Sequence, residues 1–274
     1  MKITPTRLVR ALTRLLLAAV TAVLPIAAAA QSESIGIVIM HGKGGSPQRL
    51  VIELAKGLEA KGFLVANLEM PWSGKRNYDV TTAKGEEEVA AALADLRAKG
   101  AKKVFVCGHS QGGVFALHLA AKVAADGFIT IAPGGNVATR FYSEKIGSSL
   151  ARARQLVAEG KGNVPTPLQD YEGSKDAYEI LAVPAAYVTW FDPAGAMDME
   201  RAVRVVSPRA PVLWVAPTRD YPGLIKGSLP LYRTLPKNPL TRLYEPNADH
   251  RGAPAASVEE VARWTQEVAN SQNK

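Results

Sequence analysis

VFVCGHSQGGVFAL, Val104 to Leu117, changes its pattern at a serine. Before it, KKVFVC is a basic start followed by β-branched and aromatic residues, the signature of a buried parallel strand. After it, GVFALHLAAKVA continues without a breaker and places Val114, Leu117, Ala121 and Val123 on one face at helical spacing. The three fixed residues of G-x-S-x-G recur by chance, so it is the strand–turn–helix setting that informs. A serine on so sharp a turn is held in a strained conformation with its hydroxyl exposed. Side chains two positions to either side would collide across the turn, hence Gly108 and Gly112. The helix that begins there aims its free N–H groups and positive end at whatever binds.

This setting resembles the nucleophile elbow of the α/β-hydrolase family. The resemblance implies that Ser110 is a nucleophile. The rest of the chain fits the implied fold, because strand and helix signals alternate, as in a mostly parallel central sheet with helices on both faces. Strands are expected at SIGIVIM, GFLVANLEM, VFVC, GFITIAPGG, APVLWVAP and TRLYEP. Helices are expected over 47–61 (Leu50, Ile52, Leu54, Leu58 and Ala60 apolar), over EEEVAAALADLRAKG with acids in its first turn, and over SVEEVARWTQEVANS. Between 134 and 210 the alternation breaks. Family members carry caps or lids there, so the resemblance implies a small cap-like insertion before the strand bearing the acid. Within it, Ile146, Leu150, Ala153 and Val157 mark one amphipathic helix, and YVTWFDPAGAMDM has no clear assignment.

The chain has 274 residues, 47% of them hydrophobic, and a formal charge of +8. Lys2, Arg7, Arg10 and Arg14 precede the apolar run Leu15–Ala30, and Ala28 and Ala30 fit a small-residue cleavage site before Gln31. Residues 1–30 therefore read as a secretory signal peptide, with cleavage after Ala30, a periplasmic or secreted product and no stable membrane insertion. An uncleaved inner-membrane anchor is the competing reading, although sixteen residues containing Pro25 are short for a span. Those four cations have no acidic counterpart, so residues 31–274, read as one domain, carry +4. No basic stripe interleaved with aromatics remains, which disfavours a nucleic-acid partner. The lone Cys107 has no disulfide partner in this chain and reads as a buried thiol. No clustered His/Cys set has zinc spacing, and neither a metal nor an organic cofactor is implied.

Serine needs a general base, and the base an orienting acid. In the family these follow the serine in the order acid, then histidine. Of the four histidines, His41 precedes Ser110, His109 adjoins it, and His118 lies two turns along the same helix; that leaves His250, in the loop NADHRG. For the acid, Asp220 in PTRDYPG stands where the family carries it, although a turn-capping aspartate would suit that sequence equally. Asp192 in WFDP is the alternative, whereas Asp249 is too close in sequence to reach the same imidazole. The oxyanion donors implied by the resemblance are the backbone N–H groups of Gln111 and of Lys43, the latter in HGKGGS, a departure from the H-G-G-G of many lipases. Trp72, Tyr78 and Tyr221 are candidate substrate contacts. The expected activity is that of a serine esterase acting on a small-molecule acyl ester. Thioesters and amides are alternatives on the same triad, and a non-catalytic binding protein on this scaffold is a further one.

Overall fold

The computed structural model describes residues 34–173 and 175–271. The expected signal segment, residues 1–30, lies outside them.

Six strands form one parallel sheet in the order β2-β1-β3-β4-β7-β8: β1 Ile35–Met40, β2 Leu64–Leu68, β3 Lys103–His109, β4 Gly127–Ile131, β7 Val212–Val215 and β8 Arg242–Tyr244. The short apolar runs of β1, β3, β4 and β7 are buried on both faces, as parallel strands covered by helices must be. Successive residues alternate between two cores. Ile37, Ile39, Phe105, Cys107, Ile129 and Leu213 pack against α1 (Ile52–Ala60) and α9 (Val258–Ser271). Val38, Met40, Val104, Val106, Phe128 and Trp214 face the side holding α2 (Thr82–Ala98) and α3 (Gln111–Leu119). Cys107 is fully buried, which pushes its thiol pKa up and leaves it unreactive.

Helix boundaries shift for local reasons. The helix expected from 47 begins at Ile52, and Leu50, expected on its apolar face, is 38% exposed. α2 begins at Thr82, capped by Thr81, whose side chain accepts from the Lys84 N–H at 3.3 Å. Glu86–Glu88 therefore lie beyond the first turn and are not the dipole-matched acids expected there. Gly85 permits this earlier start, because a Cβ at that position would come within 3.0 Å of the Trp190 ring. α3 stops at Leu119, so Ala121 and Val123, expected on its apolar face, lie outside it.

Between β4 and β7 the chain leaves the sheet. It forms α4 (Arg140–Ala158), an antiparallel hairpin of β5 (Thr166–Glu172) and β6 (Asp176–Ala182), α5 (Pro184–Phe191) and α6 (Met199–Val205). Ile146, Leu150 and Ala153 are buried as their spacing predicts, whereas Val157 is 43% exposed. α7 (Pro222–Arg233) and the short α8 (Ala253–Ala256) follow β7 and β8.

Candidate active site

The C-terminal ends of β1, β3, β7 and β8 share one edge of the sheet, where open α/β sheets present their loops to ligands. Ser110 follows β3 directly, at φ 54° and ψ −117°. A non-glycine residue so placed is strained by ~1–3 kcal/mol and persists only where its surroundings hold it. Here the Ser110 N–H donates to the Ile131 carbonyl at 2.9 Å, extending the β3–β4 ladder past the strand end. The flanking glycines are required by contact. A Cβ on Gly108 would lie 1.9 Å from the Gly112 carbonyl oxygen, and one on Gly112 would lie 2.6 Å from that of Met40.

The loops after β7 and β8 run side by side. The N–H groups of Thr218 and Arg219 donate to the carbonyls of Pro246 and Ala248, both at 3.0 Å, prolonging the strand pairing into the loops. That extension delivers Asp220 to His250. The acid Oδ1 lies 2.8 Å from His250 Nδ1, and His250 Nε2 lies 3.0 Å from Ser110 Oγ. A carboxylate only accepts, so Nδ1 carries the ring proton and Nε2 presents its lone pair to the serine hydroxyl. The Tyr221 N–H, at 2.6 Å, fixes the same Oδ1. Neither alternative acid is engaged with His250: Asp192 Oδ1 accepts from the Ala194 N–H, and Asp249 Oδ1 from that of Gly252.

The N–H groups of Lys43 and Gln111 donate to no acceptor among the described residues. A cavity of about 540 Å³ opens beside Ser110. Phe141 and Tyr142 of α4, Leu224 and Leu231 of α7, Trp214 and Tyr221 are in its wall, together with Lys43, Gln111 and His250. Of the expected substrate contacts only Tyr221 lines it. Trp72 and Tyr78 are buried in packing instead, 1% and 2% exposed: Trp72 sits edge-on to Phe115 and Trp190 and donates from Nε1 to the His41 carbonyl at 2.9 Å. An aromatic residue in a loop suits either role, and the tertiary packing decides between them.

Two histidines set aside in the sequence, His41 because it precedes Ser110 and His109 because it adjoins it, are structural parts of the site. His41 Nε2 accepts from the Met70 N–H at 3.1 Å, which fixes the tautomer that lets Nδ1 donate to the Gly42 carbonyl at 2.7 Å. His109 Nε2 donates to the His250 carbonyl at 2.9 Å, anchoring the loop that carries His250. Their signal in the sequence is position alone, His41 directly after β1 and His109 at the end of β3, beside Ser110. Burial lowers both pKa values, and it pushes His109, with a smaller contribution from His250, down to about 3.

A neutral buried histidine opposes folding once the unfolded chain binds a proton it cannot. Its contribution is complete above the unfolded pKa of about 6.5 and is lost progressively as pH falls toward the folded value. Stability is expected to drop by about 2 kcal/mol between pH 7 and pH 4.5 from His109 alone. Urea unfolding at the two pH values should show a smaller drop in His109→Gln; equal drops would contradict the assignment.

The profile of the alpha/beta hydrolase family matches residues 37–266. Esterase EstD of Thermotoga maritima is 26% identical over 167 residues, 55% of this chain but only 39% of that protein's length. Est1E from Butyrivibrio proteoclasticus, solved with ferulic acid bound, superposes with a TM-score of 0.56 at 20% identity, over 88% of this chain and 90% of its own. The monoacylglycerol lipase of Paleococcus ferrophilus gives 0.58 at 20% identity over 86% and 94%. A structure from the metagenome-derived lipolytic enzymes LipS and LipT gives 0.55 at 20% over 88% and 95%. At such identities the structural likeness is one of fold. The family profile spans most of the chain and the parallel sheet agrees with it: this chain belongs to the alpha/beta hydrolase family.

Proposed function

We propose that the protein is a serine esterase that opens small carboxylic esters through an acyl-enzyme. The observation that carries this reading is the continuous relay Ser110 Oγ–His250–Asp220, at 3.0 and 2.8 Å, facing a cavity with apolar walls. His250 takes the serine proton as Oγ attacks the ester carbonyl, and Asp220 stabilises the imidazolium that forms. The N–H groups of Lys43 and Gln111 receive the developing oxyanion, each such donor being worth ~10²–10³ in rate. His250 then returns its proton to the leaving alcohol, and water releases the acid by the same steps reversed. Relatives with lipolytic and esterase names support this reading, as does an apolar wall supplied by α4 and α7. Segment 134–210 is proposed as the cap that shapes the cavity, and residues 1–30 as an export signal. The fused positive and apolar stretches of the N-terminus support the latter.

The test is turnover of p-nitrophenyl esters from acetate to decanoate. Medium chains should be preferred, because α7 leaves room beside the nucleophile. Gly223 and Gly227 both line the cavity, and a Cβ added to either would meet nothing within 4 Å. Glycine inside a helix costs about 1 kcal/mol relative to alanine, so Gly227→Leu should not unfold α7. It should fill the space instead, and at ~0.8 kcal/mol per buried methylene the octanoate rate should fall tens-fold while acetate falls far less. A chain-length profile unmoved by this variant would place the acyl chain elsewhere. No turnover of any ester would contradict the esterase reading.

A further inference from the structure

The loop read as the oxyanion loop is fixed at its start by His41, which bonds the Gly42 carbonyl, and beyond that point by one side chain of its own. Its backbone is pinned at Gly44, φ 58°, whose N–H donates to the Trp72 carbonyl at 2.9 Å, and turns at Gly45, whose N–H donates to the Gly42 carbonyl at 3.1 Å. In Gly42-Lys43-Gly44-Gly45 only Lys43 carries a side chain. That side chain is 8% exposed and runs into the segment between β4 and β7. Its Nζ donates to Asp170 Oδ1, on β5, and to the Tyr142 hydroxyl, on α4. The ammonium also lies 5.1 Å from the centroid of the Tyr142 ring and 5.2 Å from that of Phe191.

Asp170 is 1% exposed and gathers further donors: Tyr78 at 3.1 Å, Tyr142 at 3.0 Å, Tyr178 at 3.3 Å and the Tyr171 N–H at 2.7 Å. The Tyr78 hydroxyl in turn meets the side-chain amide of Gln111 at 3.4 Å. Both residues read as oxyanion donors are thus tied to one carboxylate, Lys43 directly and Gln111 through Tyr78. Simple stabilisation is a weak reason for such a centre, since desolvating a buried ion pair offsets most of its attraction. A fixed geometry is what it provides.

We propose that Asp170 is a positioning residue that sets the oxyanion hole, so that the β5–β6 hairpin completes the catalytic machinery rather than merely roofing it. This rests on the reading of Lys43 and Gln111 as the oxyanion donors. A donor displaced by an ångström weakens transition-state binding while substrate binding is largely retained. The effect therefore belongs in kcat.

Asp170→Asn keeps the shape of the side chain but strands the Lys43 ammonium, whose escape toward water drags the loop with it. With p-nitrophenyl butyrate the variant should lose ~10–100-fold in kcat, the worth of a misplaced oxyanion donor, with KM within about threefold. The acid limb of the pH–rate profile should not move, because His250 and Asp220 are untouched. Adding Lys43→Met removes the stranded charge, and the double variant should recover about tenfold in kcat over Asp170→Asn, a coupling that a merely structural role would not give. The proposal fails if folded Asp170→Asn retains kcat within about twofold of the parent, on the same scale of donor effects. It also fails if the loss appears in KM, or if the double variant is no faster than the single. Should Asp170→Asn not fold, Tyr178→Phe removes one donor outside the cavity and should lower kcat severalfold at constant KM; an unchanged kcat there overturns the proposal. Ser110→Ala, assayed in parallel, separates the two levels: if it retains the parent rate, the esterase reading itself has failed, whatever Asp170 does.

Discussion

Ser110→Ala should lose ~10⁴–10⁶ in kcat on esters while folding normally, because nucleophile, base and acid act as one unit and removal of any leaves only the remaining binding and oxyanion effects. The strain at Ser110 makes the structural side of this prediction specific. Alanine must also adopt φ 54°, and no hydrogen bond of the serine side chain is lost except that to His250. Stability should therefore change by no more than ~1 kcal/mol, the net worth of the one hydrogen bond lost. Steady-state kinetics with thermal unfolding of both proteins checks the pair of outcomes. Activity retained within tenfold in a folded variant would remove the serine from the mechanism.

Asp220→Asn should lower kcat by ~10³–10⁴ at neutral pH. The amide is close in shape to the carboxylate, and its oxygen can still accept from the Tyr221 N–H and from His250 Nδ1, so what it removes is charge. Two unit charges about 4 Å apart in a medium of effective dielectric 20 attract by about 4 kcal/mol, which is ~10³ in rate once the imidazolium forms in the transition state. The acid side chain is 4% exposed, so solvent does little to screen it. Where the amide turns its NH₂ toward Nδ1, the ring tautomer reverses and Nε2 can no longer accept, which adds to the loss. KM should change little. A loss below tenfold would mean that the 2.8 Å contact with His250 is structural, and the acid would then have to be sought elsewhere.

The parts of this site that could be read in the sequence are those that strict local geometry or chain order imposes. Gly108, Ser110 and Gly112 announce themselves because backbone atoms of Met40, Gly112 and Gly113 leave no room for a Cβ on either glycine. His250 follows from the family's chain order applied to four histidines, and the parallel sheet from its short apolar runs. What escaped depends on tertiary neighbours. β5 and β6 form a two-stranded sheet outside the main one, and they bury only part of one face through Leu168, Asp170, Ile180 and Ala182. With no continuous apolar run, and with its central buried residue an aspartate, that hairpin looks like loop. Nothing local marks Asp170 among the other acids, because the partners that define it, Tyr142, Tyr78 and Lys43, lie 28, 92 and 127 residues away in the chain. Trp72 and Tyr78 misled for the same reason: an aromatic loop residue carries no mark of whether a ligand or the core will cover it.

The most direct test of the central claim is covalent. Incubation of the protein with a fluorophosphonate, followed by intact-mass measurement and peptide mapping, should show one phosphonyl group per chain, on Ser110, and none in His250→Ala over the same time. An unmodified Ser110, or modification at another residue, would contradict the account.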